Sequence, residues 1–106
     1  MLDFQKRKKK YFDMGLHDGT KLQIPTPTMD VYDSMMEVTK TGANTDINQL
    51  REVVARVLRT NKQGAEITDT QIRAFDLDDM YELFMEYIEF IKSVLSDPNS
   101  KSLIAP

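Results

Sequence analysis

The sequence predicts an α+β fold that is mainly α, with one N-terminal β-hairpin followed by a bundle of about four helices. Three observations carry this reading. Between residues 11 and 24 the apolar residues alternate at period two around Asp18-Gly19. From residue 28 to residue 96 they recur instead at three- and four-residue spacing, the signature of amphipathic helices. Pro25 and Pro27 stand between the two regimes, where proline ends a strand ladder and disfavours helix before it. The expected organisation is a single domain, with a basic arm at 1–10, the hairpin at 11–24, a helical part at 28–96 and a tail at 97–106.

The hairpin register can be argued from its apolar set, Phe12, Met14, Leu16, Leu22 and Ile24. A two-residue Asp18-Gly19 loop pairs Leu22 with Gly15 and Ile24 with Asp13, which splits the set between faces. A three-residue loop, His17-Asp18-Gly19, pairs Met14 with Leu22 and Phe12 with Ile24. All the large apolar residues then share one face, and Gly19 supplies the left-handed conformation of a bulged turn. The second register is preferred. An isolated hairpin is marginal in water, so this face must pack on helices or on another subunit's strands.

Thr28 is placed to cap a first helix whose apolar side is Val31, Tyr32, Met35, Met36 and Val38. Thr39–Thr45, with Gly42 and Asn44, reads as a loop and the most flexible point. Asp46 caps a second helix carrying Ile47, Leu50, Val53, Val54, Val57 and Leu58, which closes at Asn61-Lys62-Gln63-Gly64. Thr68 or Asp69 caps a short third helix holding Ile72 and Phe75 and ending near Asp76.

The last helix, from about Asp78 to Ser96, gives the strongest signal. One stripe holds Leu77, Met80, Tyr81, Phe84, Tyr87, Ile88, Ile91 and Leu95. A second holds Leu83, Phe90 and Val94, with Tyr87 at its edge. Together they exceed the apolar arc of about 100° that a surface helix needs. Either this helix lies at the centre of the domain, or one stripe meets a partner. Asp97-Pro98-Asn99 stops it, and Ser100–Pro106 reads as a mobile tail.

Composition bounds the function. With 41% apolar and 29% charged residues over 106 positions, the chain is expected to be soluble, intracellular and built on one core. No window approaches the roughly 18–20 apolar residues of a membrane span, and no apolar run follows the basic start as a secretory signal requires. The absence of cysteine excludes disulfides, thiolate metal sites and cysteine nucleophiles. Lys6, Arg7, Lys8, Lys9 and Lys10 carry +5, so with −3 overall the remaining residues carry −8. That run suits a nucleic-acid arm, but the acidic body behind it repels a phosphate backbone. Its simpler reading is a solvated or internally paired segment.

Catalytic patterns are missing. His17, the sole histidine, falls in the turn, and no spacing places it beside a nucleophile. Glu82, Glu86 and Glu89 share one helical face, yet the Glu-x-x-His partner of a di-metal bundle site is absent. Asp76, Asp78 and Asp79 open the helix, where the macrodipole favours negative charge. The glycines at 15, 19, 42 and 64 are isolated and form no phosphate loop. No catalytic residue, metal ligand or cofactor is expected. The methionines read as core filling or as an adaptable apolar surface.

Taken in order, the basic N-terminal run, the alternating segment ending in HDGTKLQIPTPT, the helix on DSMMEV and the C-terminal LDDMYELFMEYIEFIKSVLSDPN span nearly the whole chain. In arrangement they resemble small tail assembly chaperones of siphophages and prophages of Gram-positive bacteria. The resemblance implies a non-enzymatic homo-oligomer in the bacterial cytoplasm. Such a protein keeps the tape measure protein soluble while the tail assembles, and is absent from the mature virion. A second, longer product made by frameshifting accompanies many members. The family has no catalytic residues to carry over.

Candidate contact residues therefore come from the helix pattern. Leu83, Tyr87, Phe90 and Val94, with Met36 and Met85, are expected to bind a partner, since aromatic anchors dominate interfaces. Phe12, Met14, Leu22 and Ile24 are expected to support self-association, since a hairpin offers unpaired edges. The competing expectations are a nucleic-acid-binding regulator that uses Lys6–Lys10, and a structural head–tail or tail component of the virion.

Overall fold

The computed structural model describes residues 2, 3, 5, 9–41 and 46–96. Two antiparallel strands, β1 (Tyr11–Gly15) and β2 (Lys21–Pro25), precede four helices: α1 (Met29–Thr41), α2 (Ile47–Arg59), α3 (Asp69–Arg73) and α4 (Leu77–Ser96). The fold is α+β and mainly α.

The hairpin adopts the three-residue loop. Phe12 pairs with Ile24 and Met14 with Leu22. Gly19 closes the turn at a φ of 91°, a region that side chains other than glycine rarely adopt. Its N–H donates to the Leu16 carbonyl at 3.0 Å. Alternation then puts Leu22 and Ile24 on the inner face, where both are fully buried, with Leu16 beside them.

Each helix start has a local cause. Asp46 accepts from the Asn48 N–H at 2.8 Å and caps α2. Thr68 and Gln71 form a reciprocal capping box on α3. Asp76 and Asp79 do the same for α4: the Asp79 N–H donates to Asp76 Oδ1 at 2.8 Å, and the Asp76 N–H to Asp79 Oδ2 at 3.2 Å. Thr28 differs from expectation. Its carbonyl accepts from the Tyr32 N–H, as at an N-cap, but its hydroxyl donates to the Asp30 carboxylate instead of accepting from the helix backbone.

Three further boundaries depart from the sequence reading. Residues 39–41 continue α1 and do not belong to a loop; residues 42–45 lie outside the described residues, as do the expected stop and tail at 97–106. α3 ends at Arg73, so Phe75 follows it. Ile47 is exposed, because the first turn of α2 projects beyond the core that Leu50 begins.

One continuous core joins every element. Val31, Met35 and Val38 of α1 meet the apolar side of α2, and Met80, Phe84 and Tyr87 of α4 complete it under the hairpin. Asn61 is its one buried polar side chain among the described residues. It donates to the Leu58 and Ala65 carbonyls and accepts from the Ala65 N–H, so each of its polar atoms is satisfied. That side chain holds the tight return from α2 toward Gly64, whose φ is 66°.

Candidate functional site

The helix α4 presents less apolar surface than its two stripes imply, and a different part of it. Leu83, Tyr87 and Val94 are buried, Tyr87 at 1% exposure. Phe90 and Met36 are half-buried and packed against the core. Of the six residues expected to bind a partner, only Met85 lies at the surface. The second stripe thus faces inward, and the physical reason is the hairpin. Phe12 sets its ring edge-on to Tyr87 at 5.8 Å and beside Phe90 at 5.7 Å, while Tyr87 and Phe90 stack at 6.0 Å. This aromatic cluster draws the Leu83–Phe90 flank under β1.

The same packing takes in the side chains of the residues expected to support self-association. Leu22 and Ile24 are buried within the chain, and Phe12 and Met14 are half-buried against its helices. The apolar face of the hairpin is covered by its own helices and is not presented to a second subunit.

The opposite flank of α4 stays open. Leu77, Tyr81, Met85 and Leu95 are exposed, Tyr81 at 61%; the first three follow one another at four-residue spacing, and Leu95 lies farther along the helix above Leu77. Tyr81 and Met85 form a shallow groove with Glu82, Glu86 and Glu89. Both flanks border the same glutamate face, so periodicity alone does not say which one the hairpin takes. Only the position of Phe12 decides it.

A second cluster joins the turn to the start of α4. His17 Nε2 lies 2.9 Å from Asp79 Oδ2, and its ring meets Phe75 edge-on at 4.9 Å. Gln71 of α3 donates to Asp18 at 3.0 Å. The Asp76 N–H and then His17 hold the Asp79 carboxyl below the usual range. The Thr20 hydroxyl and N–H, then Gln71, do the same for Asp18. His17 is therefore a clip between elements and more than a solvated turn residue. No local spacing in the sequence connects position 17 to position 79.

Among the described residues, no group of three or more His, Asp or Glu is placed to hold a metal ion, and no helix is long and apolar enough to cross a membrane. Lys6, Arg7 and Lys8 of the basic run lie outside the described residues, and Lys9 and Lys10 are exposed. What the arrangement offers is apolar surface beside carboxylates along one helix. No protein-family model, curated protein or solved structure matches the chain.

Proposed function

We propose that the chain is a non-enzymatic assembly chaperone that holds an apolar helical segment of a longer partner in solution. The observation that carries the reading is the exposed line Leu77–Tyr81–Met85, with Leu95, on the longest helix of a molecule whose core is complete without it. A facing helix with large apolar residues at matching spacing lies along such a line in helix-in-groove fashion. Tyr81 and Met85 suit this role, one as a rigid amphipathic anchor and the other as an adaptable one. The resemblance to tail assembly chaperones makes the tape measure protein of a phage tail the partner, with both acting in the bacterial cytoplasm and the chaperone leaving before the virion matures.

The test is co-expression of the chain with a tape measure segment. The segment should appear in the soluble fraction and co-purify with the wild-type chain, and it should be lost with Tyr81→Glu plus Met85→Glu. A segment equally insoluble with and without the chain overturns the proposal.

A further inference from the structure

The two edges of the hairpin are not alike. On β2, the Gln23 N–H donates to the Gln63 side chain at 3.1 Å, and the Gln23 carbonyl accepts from the Lys62 N–H at 2.8 Å. The loop after α2 therefore occupies that edge. Gln23 pairs with Asp13, and the Leu16 N–H donates across the hairpin to the Thr20 carbonyl. Antiparallel alternation then points the main-chain groups of Tyr11, Asp13 and Gly15 away from β2. Among the described residues no third strand pairs with them.

A cleft of about 270 Å³ runs along that open edge. Phe12, Met14 and Gly15 line one wall, Leu83, Glu82 and Glu86 of α4 line the other, and no residue of β2 contributes. This is smaller than the roughly 300–1,000 Å³ that a cofactor or drug-sized ligand fills. It suits side chains hanging from a strand.

We infer that the β1 edge is a strand-addition site, taking an extended cationic segment of another protein as a third strand beside this cleft. Main-chain pairing to Tyr11, Asp13 and Gly15 supplies the register. A lysine or arginine on the core side lays its aliphatic stem over Met14 and Leu83 and brings its charge to Glu82 and Glu86. A cation on the other face meets Asp13. Charge complementarity selects the occupant: the wall is acidic, and a second copy pairing through its own β1 brings Asp13, Glu82 and Glu86 against it. The site lies on the other flank of α4 from the Tyr81–Met85 line and shares only Glu82 and Glu86 with the groove there; it stands whether or not that line binds a helix.

The test uses the full chain labelled with ¹⁵N and three peptides of ten residues: alternating Val and Lys, alternating Val and Glu, and the Val–Lys peptide N-methylated along both edges. With the first peptide, the amides of Tyr11, Asp13 and Gly15 should shift and exchange more slowly, while those of α1, which does not line the cleft, stay unmoved. The other two peptides should bind at least about tenfold more weakly, as loss of charge pairing or of edge hydrogen bonds requires. Gly15→Pro removes one outward N–H where the nearest atom to an added Cβ is 3.8 Å away, and it should weaken binding. Because a proline in β1 could unfold the hairpin, Glu82→Lys plus Glu86→Lys on the exposed side of α4 is the second variant, again with a loss of about tenfold or more. Equal binding of the Lys and Glu peptides, full binding of the methylated peptide, or no response at β1 overturns the inference. So does a wild-type dimer that Gly15→Pro converts to monomers, because a second copy then owns the edge.

Discussion

The Tyr87 hydroxyl on α4 donates to the Pro25 carbonyl at the end of β2, 62 positions earlier in the chain. The bond joins the sheet to the longest helix, and the ring behind it, 1% exposed, packs on Phe12 and Phe90. Tyr87→Phe keeps the ring and orphans the carbonyl, so it is expected to cost about 1–2 kcal/mol. Tyr87→Ala adds the loss of the ring, for about 3–5 kcal/mol in all. Urea denaturation reads both. Burial also raises the phenol above its ordinary value. A raised folded-state value means that stability is full below about pH 10 and falls as pH climbs beyond it. The Phe variant should lack that part of the alkaline loss.

Gly19 separates backbone strain from crowding. Nothing lies within 4 Å of a Cβ built there, yet its φ is 91°. Gly19→Ala should therefore destabilise by about 1–2 kcal/mol through the backbone alone. Thermal unfolding measures it, and a neutral result would mean that the turn relaxes into another type.

The hairpin register was legible because a single argument, keeping Phe12, Met14, Leu22 and Ile24 on one face, excluded the alternative. Helix positions were legible from periodicity, and the caps at Asp46 and Thr68 from residue type. What periodicity could not rank was the two flanks of α4, since Leu83–Phe90 and Tyr81–Met85 border the same glutamates. That choice belongs to a long-range contact, Phe12 on Tyr87 and Phe90, which leaves no mark in the local pattern. The His17–Asp79 clip was hidden for the same reason, because two surface residues distant in sequence carry no joint signal.

Asn61 is expected to be among the least replaceable polar residues. Asn61→Leu matches its bulk but leaves the Ala65 N–H and carbonyl without their partner, while the Leu58 carbonyl keeps only the backbone N–H of residue 61, at a cost of about 2–4 kcal/mol. The Gly64 turn should loosen first, visible as faster amide exchange at Ala65.

The inward turn of the second α4 stripe sets two variants against each other. Leu83→Ser plus Phe90→Ser places hydroxyls in the core and removes ring contacts, so the folded state should be lost or weakened by about 4 kcal/mol or more. Tyr81→Glu plus Met85→Glu alters exposed positions and should change stability by no more than about 0.5 kcal/mol per site. Circular dichroism melts on the two pairs decide it, and the reverse ranking would mean that α4 is rotated about its axis.

The clip at the turn should open in acid. Asp79 and Asp18 both titrate below the usual carboxylate value, Asp79 chiefly through the Asp76 N–H and then His17, Asp18 chiefly through Thr20 and then Gln71. A lowered folded-state value gives stability that is present above about pH 4 and lost as pH falls through the folded value. The release should be local, because both carboxylates are at the surface and the core beneath them holds no charge. Protection of the Leu16 and Gly19 amides should therefore fall as pH drops below about 4 while the amides of α2 remain protected. Asp79→Asn keeps an oxygen for the Asp76 N–H but loses its charge toward His17, so it should flatten that pH dependence. Unchanged dependence in this variant would assign the acid response to Asp18 and its contacts with Thr20 and Gln71.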